Sequence, residues 1–257
     1  IGGYKLDFSN TIIIIPARIG SSRLPNKPLL KINGIPLIIH AYNCAKSTQI
    51  DVPILVATDD RSIADVVNNH GGLTFITSKT HESGSDRIYE ALEEFDPHQK
   101  YQNIIHLQGD LPNISGELIK KLANVIKDPS REITTVVAKA SPEEYNDNSI
   151  VKVAIAFSKD NPDVNDIGRA MYFSRACIPF GETNIWHHVG IYAWKRKTLK
   201  KFIHLKPSPL EKSEKLEQLR ALEAGITIDA IITKDHPIGV DTELDVKKAS
   251  KFFQDLS

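Results

Sequence analysis

Short apolar runs alternate with amphipathic stretches along the first half of the chain. Residues 11–15 include four consecutive isoleucines, and such a run without alternation predicts a strand buried on both faces of a parallel sheet. Further apolar runs predict strands at 54–58, 73–77, 103–107 and 132–138. Apolar positions at helical spacing predict helices at 35–45, 61–69, 86–95 and 115–126. This order of elements predicts an α/β fold with a mostly parallel central sheet and helices on both faces.

The pattern changes at about residue 141, where Asn, Asp, Ser and Pro become frequent. We expect an inserted subregion at about 141–195, with strands at 150–157, 171–173 and 190–194. A helix at 212–224, a strand at 227–233 and a closing helix are expected to follow. The sequence thus predicts a single α/β domain over residues 11–257, preceded at 1–10 by a native leader or a remnant of expression.

Charge and composition narrow the class of protein. The chain has 257 residues with 32 basic and 32 acidic side chains, so it lacks the basic surface expected of a nucleic-acid binder. Only two cysteines are present, which argues against a disulfide framework and suits a reducing cytoplasm. Its apolar runs are too short for a membrane span, and the first residues lack a signal-peptide pattern. We therefore expect a cytoplasmic protein that acts on small molecules, without nucleic-acid or membrane partners.

A basic loop follows the first predicted strand. Pro16 and Ala17 lead into Arg18, Arg23 and Lys27, and ligands of parallel sheets bind beyond the carboxyl ends of strands. Three cations at that edge predict a site for a polyphosphate, with loop hydroxyls and amides as further donors. The alternative is a solvated basic loop, which the stiffening prolines make the weaker interpretation.

Two aspartates stand at comparable positions after strands. Gln108 and Asp110 follow the strand at 103–107, and Asp241 lies in the turn before the closing helix. Carboxylates beside bound phosphates commonly hold Mg²⁺. From spacing alone, Asp110 could equally be a turn former, and Asp241 is better explained as a helix N-cap.

Several segments resemble the 3-deoxy-manno-octulosonate (Kdo) cytidylyltransferase family, the CMP-Kdo synthetases. The segments are IPARIGSSRLPNKPL (15–29) with INGIPLIIHAY (32–42), HESGSDR (81–87), QGD (108–110), YFSRACIP (172–179), HHVGIY (187–192), PSPLE (207–211), LEQLR (216–220) and GVDT (239–242). The resemblance implies a Rossmann-like nucleotide-diphospho-sugar transferase fold and a homodimer, with the subregion at about 141–195 used for dimerisation and for the acceptor. It also implies the reaction of CTP with Kdo to give CMP-Kdo and pyrophosphate, for lipopolysaccharide assembly in a Gram-negative cytoplasm.

The resemblance also assigns roles to individual residues. It makes Asp110 and Asp241 the ligands of an Mg²⁺ cofactor and, together with Arg18 and Lys27, the catalytic set. The implied CTP contacts are Pro16, Ala17, Arg18, Arg23, Lys27, Ser83, Gly84 and Gln108. The implied sugar contacts are Gln108, Arg175, His188, Tyr192, Glu217 and Gln218.

Purely structural roles remain possible for single members of this set. Ser83 could serve only as a helix cap, His188 as a buried strand histidine and Glu217 as an exposed helix residue. The chain also departs from the family pattern at Leu111, where an acid is common. Activation of another acidic sugar, such as a sialic acid or 8-amino-Kdo, and non-catalytic nucleotide binding are the competing functions.

Overall fold

The computed structural model describes residues 7–20, 24–181 and 184–255. A run of isoleucines forms its first strand. Strand β1 (Thr11–Ala17) pairs in parallel with β4 (Ile54–Thr58) on one side and with β6 (Asn103–His106) on the other. The side chains of residues 12–15 are fully buried, because both edges and both faces of this strand are covered. Beyond β4 lies β5 (Leu73–Ile76), again parallel, which gives the order β5-β4-β1-β6.

These strands belong to the first of two compact units, which comprises residues 1–124 and 237–257. A small hairpin of β2 (Lys31–Ile32) and β3 (Ile35–Pro36) follows β1. The helices of this unit are α1 (Leu37–Lys46), α2 (Arg61–Asn69), α3 (Gly84–Phe95), α4 (Gly116–Val125) and α8 (Glu243–Asp255). The predicted strands and helices of the first half are therefore confirmed, with ends shifted by a few residues.

In the second unit, Val125–His236, the strands pair in both parallel and antiparallel directions. Its strands are β7 (Ile133–Lys139), β8 (Lys152–Ala156), β9 (Ile167–Ser174), β10 (Trp186–Lys195) and β11 (Ile228–Thr233). Only the β7–β11 pair is parallel among the pairings described here, and the order is β10-β7-β11-β9-β8. The first residues of β10 also pair with β8, which joins the two ends of this strand set. Residues 141–195 lie within this unit.

One predicted helix is wrong. Residues 212–224 do not form a single helix, because α6 (Pro209–Glu214) ends at Lys215 in the left-handed conformation and α7 (Gln218–Glu223) follows. The Arg220 side chain bonds Glu211 across this break, with Nε 2.8 Å from Oε2. Helix α5 (Arg196–Ile203), which the sequence analysis did not predict, buries Leu199 and Phe202. In the described part of the chain, no helix has both the length and the apolar character needed to cross a bilayer.

Candidate active site

Two carboxylates distant in sequence meet at one lysine in the first unit. The Nζ of Lys27 lies 2.7 Å from Oδ2 of Asp110 and 3.0 Å from Oδ1 of Asp241. The backbone holds the two acidic segments together, since the amide of Val240 donates to the carbonyl of Asp110 at 3.0 Å. The Asp110 turn follows β6, and Lys27 begins a short 3-10 turn (Lys27–Leu29) after β1. The structure thus brings together three of the residues singled out in the sequence.

Asp241 is directed to Lys27, and the hydrogen bonds at the start of α8 come from its neighbours. The Oγ1 of Thr242 accepts from the amide of Asp245 at 3.3 Å, and Oδ2 of Asp245 accepts from the amide of Thr242 at 2.9 Å. This reciprocal pair satisfies donors at the helix terminus. The carboxylate of Asp241 is 46% exposed, so it can bind a ligand that enters from solvent.

The electrostatics of this cluster favour charged groups. Burial lowers the pKa of Lys27, but the adjacent carboxylates of Asp110 and Asp241 outweigh that effect and leave the pKa above its ordinary value. The ammonium is therefore fully charged at neutral pH. Its position between two carboxylates offsets their mutual repulsion.

The donor set at this cluster fits a divalent cation. Oδ1 of Asp110 is buried and has no hydrogen-bond partner among residues 7–20, 24–181 and 184–255. A buried carboxylate oxygen without a donor is costly, and a hard cation is a partner that would satisfy it. Asp110 and Asp241 together supply the one or two carboxylates that Mg²⁺ usually takes from a protein beside substrate phosphates.

Two glycines allow close approach at the end of β1. A Cβ on Gly109 would lie 3.1 Å from the carbonyl oxygen of Pro16, and a Cβ on Gly84 would lie 3.4 Å from Cγ of Pro16. Gln108, beside Gly109, is partly exposed. The predicted nucleotide contacts Pro16, Gly84 and Gln108 thus lie near one another at the end of β1.

The three cations of the basic loop differ in their exposure and in whether the structure describes them. Arg18 is exposed directly after β1, where it is free to meet an anion arriving from solvent. Arg23 lies outside the described residues. Lys27 is the partly buried member described above.

Ser83 caps α3, as the alternative interpretation of this motif had it. Its Oγ accepts from the amide of Asp86 at 3.1 Å and donates to Oδ2 of the same residue at 2.8 Å. A capping hydroxyl keeps little freedom to bind a ligand, so Gly84 and the amides at the start of α3 are the better candidates for nucleotide contact.

A buried ion pair connects α3 to the loop after β1. The Nη2 of Arg87 lies 3.2 Å from Oδ2 of Asp59, and Oδ1 of Asp59 accepts from the amide of Ile19 at 3.0 Å. Arg87 also bonds the hydroxyl of Thr77. The sequence did not indicate this pair, because Asp59 and Arg87 lie 28 positions apart and no single motif includes both. The neighbouring Asp60 caps α2.

In the second unit, a bulge in β10 brings two predicted sugar contacts together. The register with β7 shifts between Val189 and Tyr192, and the rings of His188 and Tyr192 lie 5.4 Å apart as a result. The Oγ1 of Thr135 lies 2.9 Å from Nε2 of His188 and donates to the carbonyl of Ile191 at 2.8 Å. Thr135 was not identified from the sequence, since no motif includes it.

Burial determines the charge of this pair. It lowers the pKa of His188 to about 3, with a smaller contribution from neighbouring His187, so the imidazole is neutral at physiological pH. Burial also raises the pKa of the Tyr192 hydroxyl, and the carboxylate of Glu217 adds to that effect. Both groups therefore act as neutral hydrogen-bonding partners, which suits a polyhydroxylated ligand.

The remaining predicted sugar contacts belong to α7 and to the end of β9. Glu217 directly precedes α7, and Gln218, whose side chain is largely buried, is the first residue of that helix. The guanidinium of Arg175 donates to the carbonyls of Glu214 at 3.2 Å and Asn148 at 3.0 Å. Arg175 therefore has a structural role here, and its binding of a sugar carboxylate stays a prediction.

Comparison with known proteins places the chain among the cytidylyltransferases. The cytidylyltransferase family model matches residues 12–228. A 3-deoxy-manno-octulosonate cytidylyltransferase of Rhodopseudomonas palustris (strain BisB5) is 45% identical over 242 residues, 94% of this chain and 96% of the relative. One from Brucella ovis is 44% identical over 248 residues, 96% and 97% of the two chains.

A solved structure agrees with these relatives. The structure of CMP:2-keto-3-deoxy-manno-octonic acid synthetase complexed with CTP superposes with a TM-score of 0.88 at 35% identity. The match covers 97% of this chain and all of the other. The fold expected from the sequence is therefore confirmed, and the chain belongs to the cytidylyltransferase family, among the 3-deoxy-manno-octulosonate cytidylyltransferases.

Proposed function

We propose that this chain transfers the cytidylyl group of CTP to Kdo, giving CMP-Kdo and pyrophosphate. The observation that carries the proposal is the meeting of Asp110, Asp241 and Lys27. This cluster lies in a chain 45% identical to a 3-deoxy-manno-octulosonate cytidylyltransferase over nearly its whole length. It combines a lysine ammonium with carboxylates able to hold a metal ion, and enzymes that transfer groups from nucleoside triphosphates use both kinds of group.

In this reaction the anomeric hydroxyl oxygen of the sugar forms a bond to the α-phosphorus of CTP. The bond from that phosphorus to the oxygen bridging to the β-phosphorus breaks, and pyrophosphate leaves while the hydroxyl proton passes to solvent. Lys27 and Arg18 neutralise phosphate charge and stabilise the leaving group. Asp110 and Asp241 would hold Mg²⁺, which when bound neutralises phosphate charge and lowers the pKa of a coordinated hydroxyl.

The acceptor is assigned to the neutral pair of the second unit. His188 and Tyr192 offer hydrogen bonds to sugar hydroxyls, and Thr135 orients the imidazole. Because neither group is charged near neutral pH, the pair recognises the arrangement of the sugar hydroxyls. The sugar carboxylate therefore requires a cationic side chain outside this pair. Arg175 is the cation that the family resemblance assigns to it.

The wider setting follows from the same resemblance. We place the reaction in a Gram-negative cytoplasm, in lipopolysaccharide assembly, and we expect a homodimer. Exposed apolar side chains in the second unit support an interface there: Phe180 is fully exposed and Met171 is 59% exposed.

The direct test is pyrophosphate release from CTP and Mg²⁺ with a panel of acceptors: Kdo, 8-amino-Kdo, a sialic acid and no sugar. We expect release that depends on both CTP and Kdo, with Kdo giving the highest kcat/KM. Faster release with another sugar acid would reassign the substrate. CTP binding without release from any acceptor would instead favour a nucleotide-binding protein that is not an enzyme.

A second prediction concerns the acceptor pair. Replacing His188 with Phe keeps the ring but removes both nitrogens, so we expect KM for Kdo to rise by about tenfold or more, the usual effect of one lost hydrogen bond to a ligand. KM for CTP should change little. Steady-state kinetics with each substrate varied separately measures this split, and His204→Gln, an exposed histidine on the loop after α5, is the matched control. An equal rise in both KM values would contradict the assignment.

A further inference from the structure

Three strand ends of the second unit bring metal-binding side chains together. Strands β7 and β11 are parallel and end side by side, with Ala138 opposite Thr233. Strand β10 runs in the opposite direction and begins at the same edge, with His187 opposite Ala138. Side chains that follow β7, follow β11 or begin β10 therefore lie close together.

Glu144, His187 and His236 occupy these positions. One ligand atom from each, a carboxylate oxygen or an imidazole nitrogen, lies within 4.8 Å of the other two. The Nδ1 of His187 lies 2.9 Å from Oε1 of Glu144, and the rings of His187 and His236 are 6.5 Å apart between centroids. None of the three is used in the reaction proposed above.

We propose that Glu144, His187 and His236 form a binding site for a divalent transition-metal ion of the zinc class. Two imidazoles and one carboxylate are ligands that zinc commonly takes in proteins, with further positions left for water or a fourth group. Mg²⁺ and Ca²⁺ prefer oxygen ligands, so the two histidines select against both ions. The proposal does not depend on the cytidylyltransferase reaction.

The local structure prepares two of the ligands. The other carboxylate oxygen of Glu144, Oε2, accepts from the amide of Ser141 at 2.8 Å, which fixes the side chain and leaves Oε1 facing His187. His187 is anchored through its backbone, since β10 pairs there with both β7 and β8. Both side chains are only about one-fifth exposed, with values of 23% and 18%. A site with two ligands held in place loses less entropy when the ion binds.

The third ligand requires a small movement. Ligand atoms of a tetrahedral zinc site lie about 3.3 Å apart, given bonds of about 2 Å. The Nδ1 of His187 and Oε1 of Glu144 lie 2.9 Å apart, so they need to separate only slightly to reach this spacing. His236 is exposed, so its ring can turn towards them. Where Nδ1 of His187 carries the proton that it donates to Oε1 of Glu144, binding of the ion at Nδ1 releases that proton to solvent or shifts it to Nε2.

One nearby charge opposes a cation. The ammonium of Lys152 is fully buried in the second unit and acts electrostatically on His187. It donates to the carbonyls of Asp147 and Ile150 at 2.8 Å each, and to that of Arg175. Since these bonds hold the ammonium on backbone carbonyls, Lys152 reduces the affinity of the site without occupying it.

Cobalt(II) is the probe, because its visible absorption reports tetrahedral coordination directly. Tag-free full-length protein is treated with a chelator, desalted and titrated with Co²⁺, first alone and then with millimolar Mg²⁺. We expect one ion per chain with visible bands of tetrahedral intensity that Mg²⁺ does not remove. We also expect Zn²⁺ to displace the cobalt and to raise the melting temperature.

The variants locate the ion. His236→Gln, at an exposed position where folding is not at risk, should weaken Co²⁺ binding by at least about tenfold, the loss that follows removal of even an outer partner of a metal ligand. Glu144→Gln keeps an oxygen for the Ser141 amide and should weaken binding similarly, whereas His204→Gln should not. Unchanged affinity in His236→Gln, absence of Co²⁺ binding, or an intense sulfur charge-transfer band from Cys44 or Cys177 would overturn the proposal.

Discussion

Asp110→Asn is expected to lower kcat about a thousandfold while the protein stays folded. The substitution preserves the shape of the side chain but removes the negative charge that pairs with Lys27 at 2.7 Å. It also lowers the affinity for a metal ion at Oδ1, the buried carboxylate oxygen of this cluster that has no partner among the described residues. Loss of one group that stabilises charge in a transition state commonly costs about 10²–10³ in rate, and a metal ligand lies at the upper end.

Pyrophosphate release at saturating CTP, Kdo and Mg²⁺ measures this effect. Asp65→Asn, on the exposed face of α2, is the matched control and should keep full activity. Circular dichroism verifies that both variants are folded. Near-native turnover of Asp110→Asn under these conditions would mean that this carboxylate does not hold the metal ion.

Lys27→Met is expected to separate two roles of one ammonium. In the structure the Nζ of Lys27 lies between both carboxylates, where it competes with any divalent ion. Removing it leaves two facing negative charges, so the protein without nucleotide should bind Mn²⁺ about tenfold more tightly. The same variant should lose at least about a hundredfold in kcat, because the triphosphate loses a cation.

Electron paramagnetic resonance of free Mn²⁺ gives the affinity, and the pyrophosphate assay gives the rate. Lys31→Met, at an exposed position in β2, controls for the loss of one positive charge. Unchanged Mn²⁺ affinity in Lys27→Met would show that the ammonium and the ion do not share these carboxylates. Tighter Mn²⁺ binding together with full activity would show that Lys27 has no role in catalysis.

The sheet of the first unit could be predicted because its strands are buried on both faces. Residues 12–15 and 54–57 are all apolar, so neither run shows the alternation of an exposed strand, and the predicted strand at 54–58 matches β4 residue for residue. The break between α6 and α7 could not be predicted from periodicity. It depends on Lys215 in a left-handed conformation and on the Glu211–Arg220 pair, neither of which leaves a hydrophobic signature.

The candidate site divides in the same way. Asp110 and Asp241 follow a strand or precede a helix in short motifs, so local sequence indicates them. Their proximity depends on the fold, in which the Val240–Asp110 hydrogen bond and the contacts of Lys27 bring them together. Thr135 and Arg87 act through partners distant in sequence. No local pattern encodes such a partnership, and resemblance to a family supplies it only where a motif includes both residues.

The two contacts of the Asp59 carboxylate constrain which substitutions the chain can accept at this position. It accepts from the Ile19 amide with one oxygen and pairs with Arg87 through the other, so a single side chain connects the loop after β1 with helix α3. A change at position 59 leaves a buried guanidinium without its counterion and releases the loop at the same time. We therefore expect positions 59 and 87 to covary among relatives.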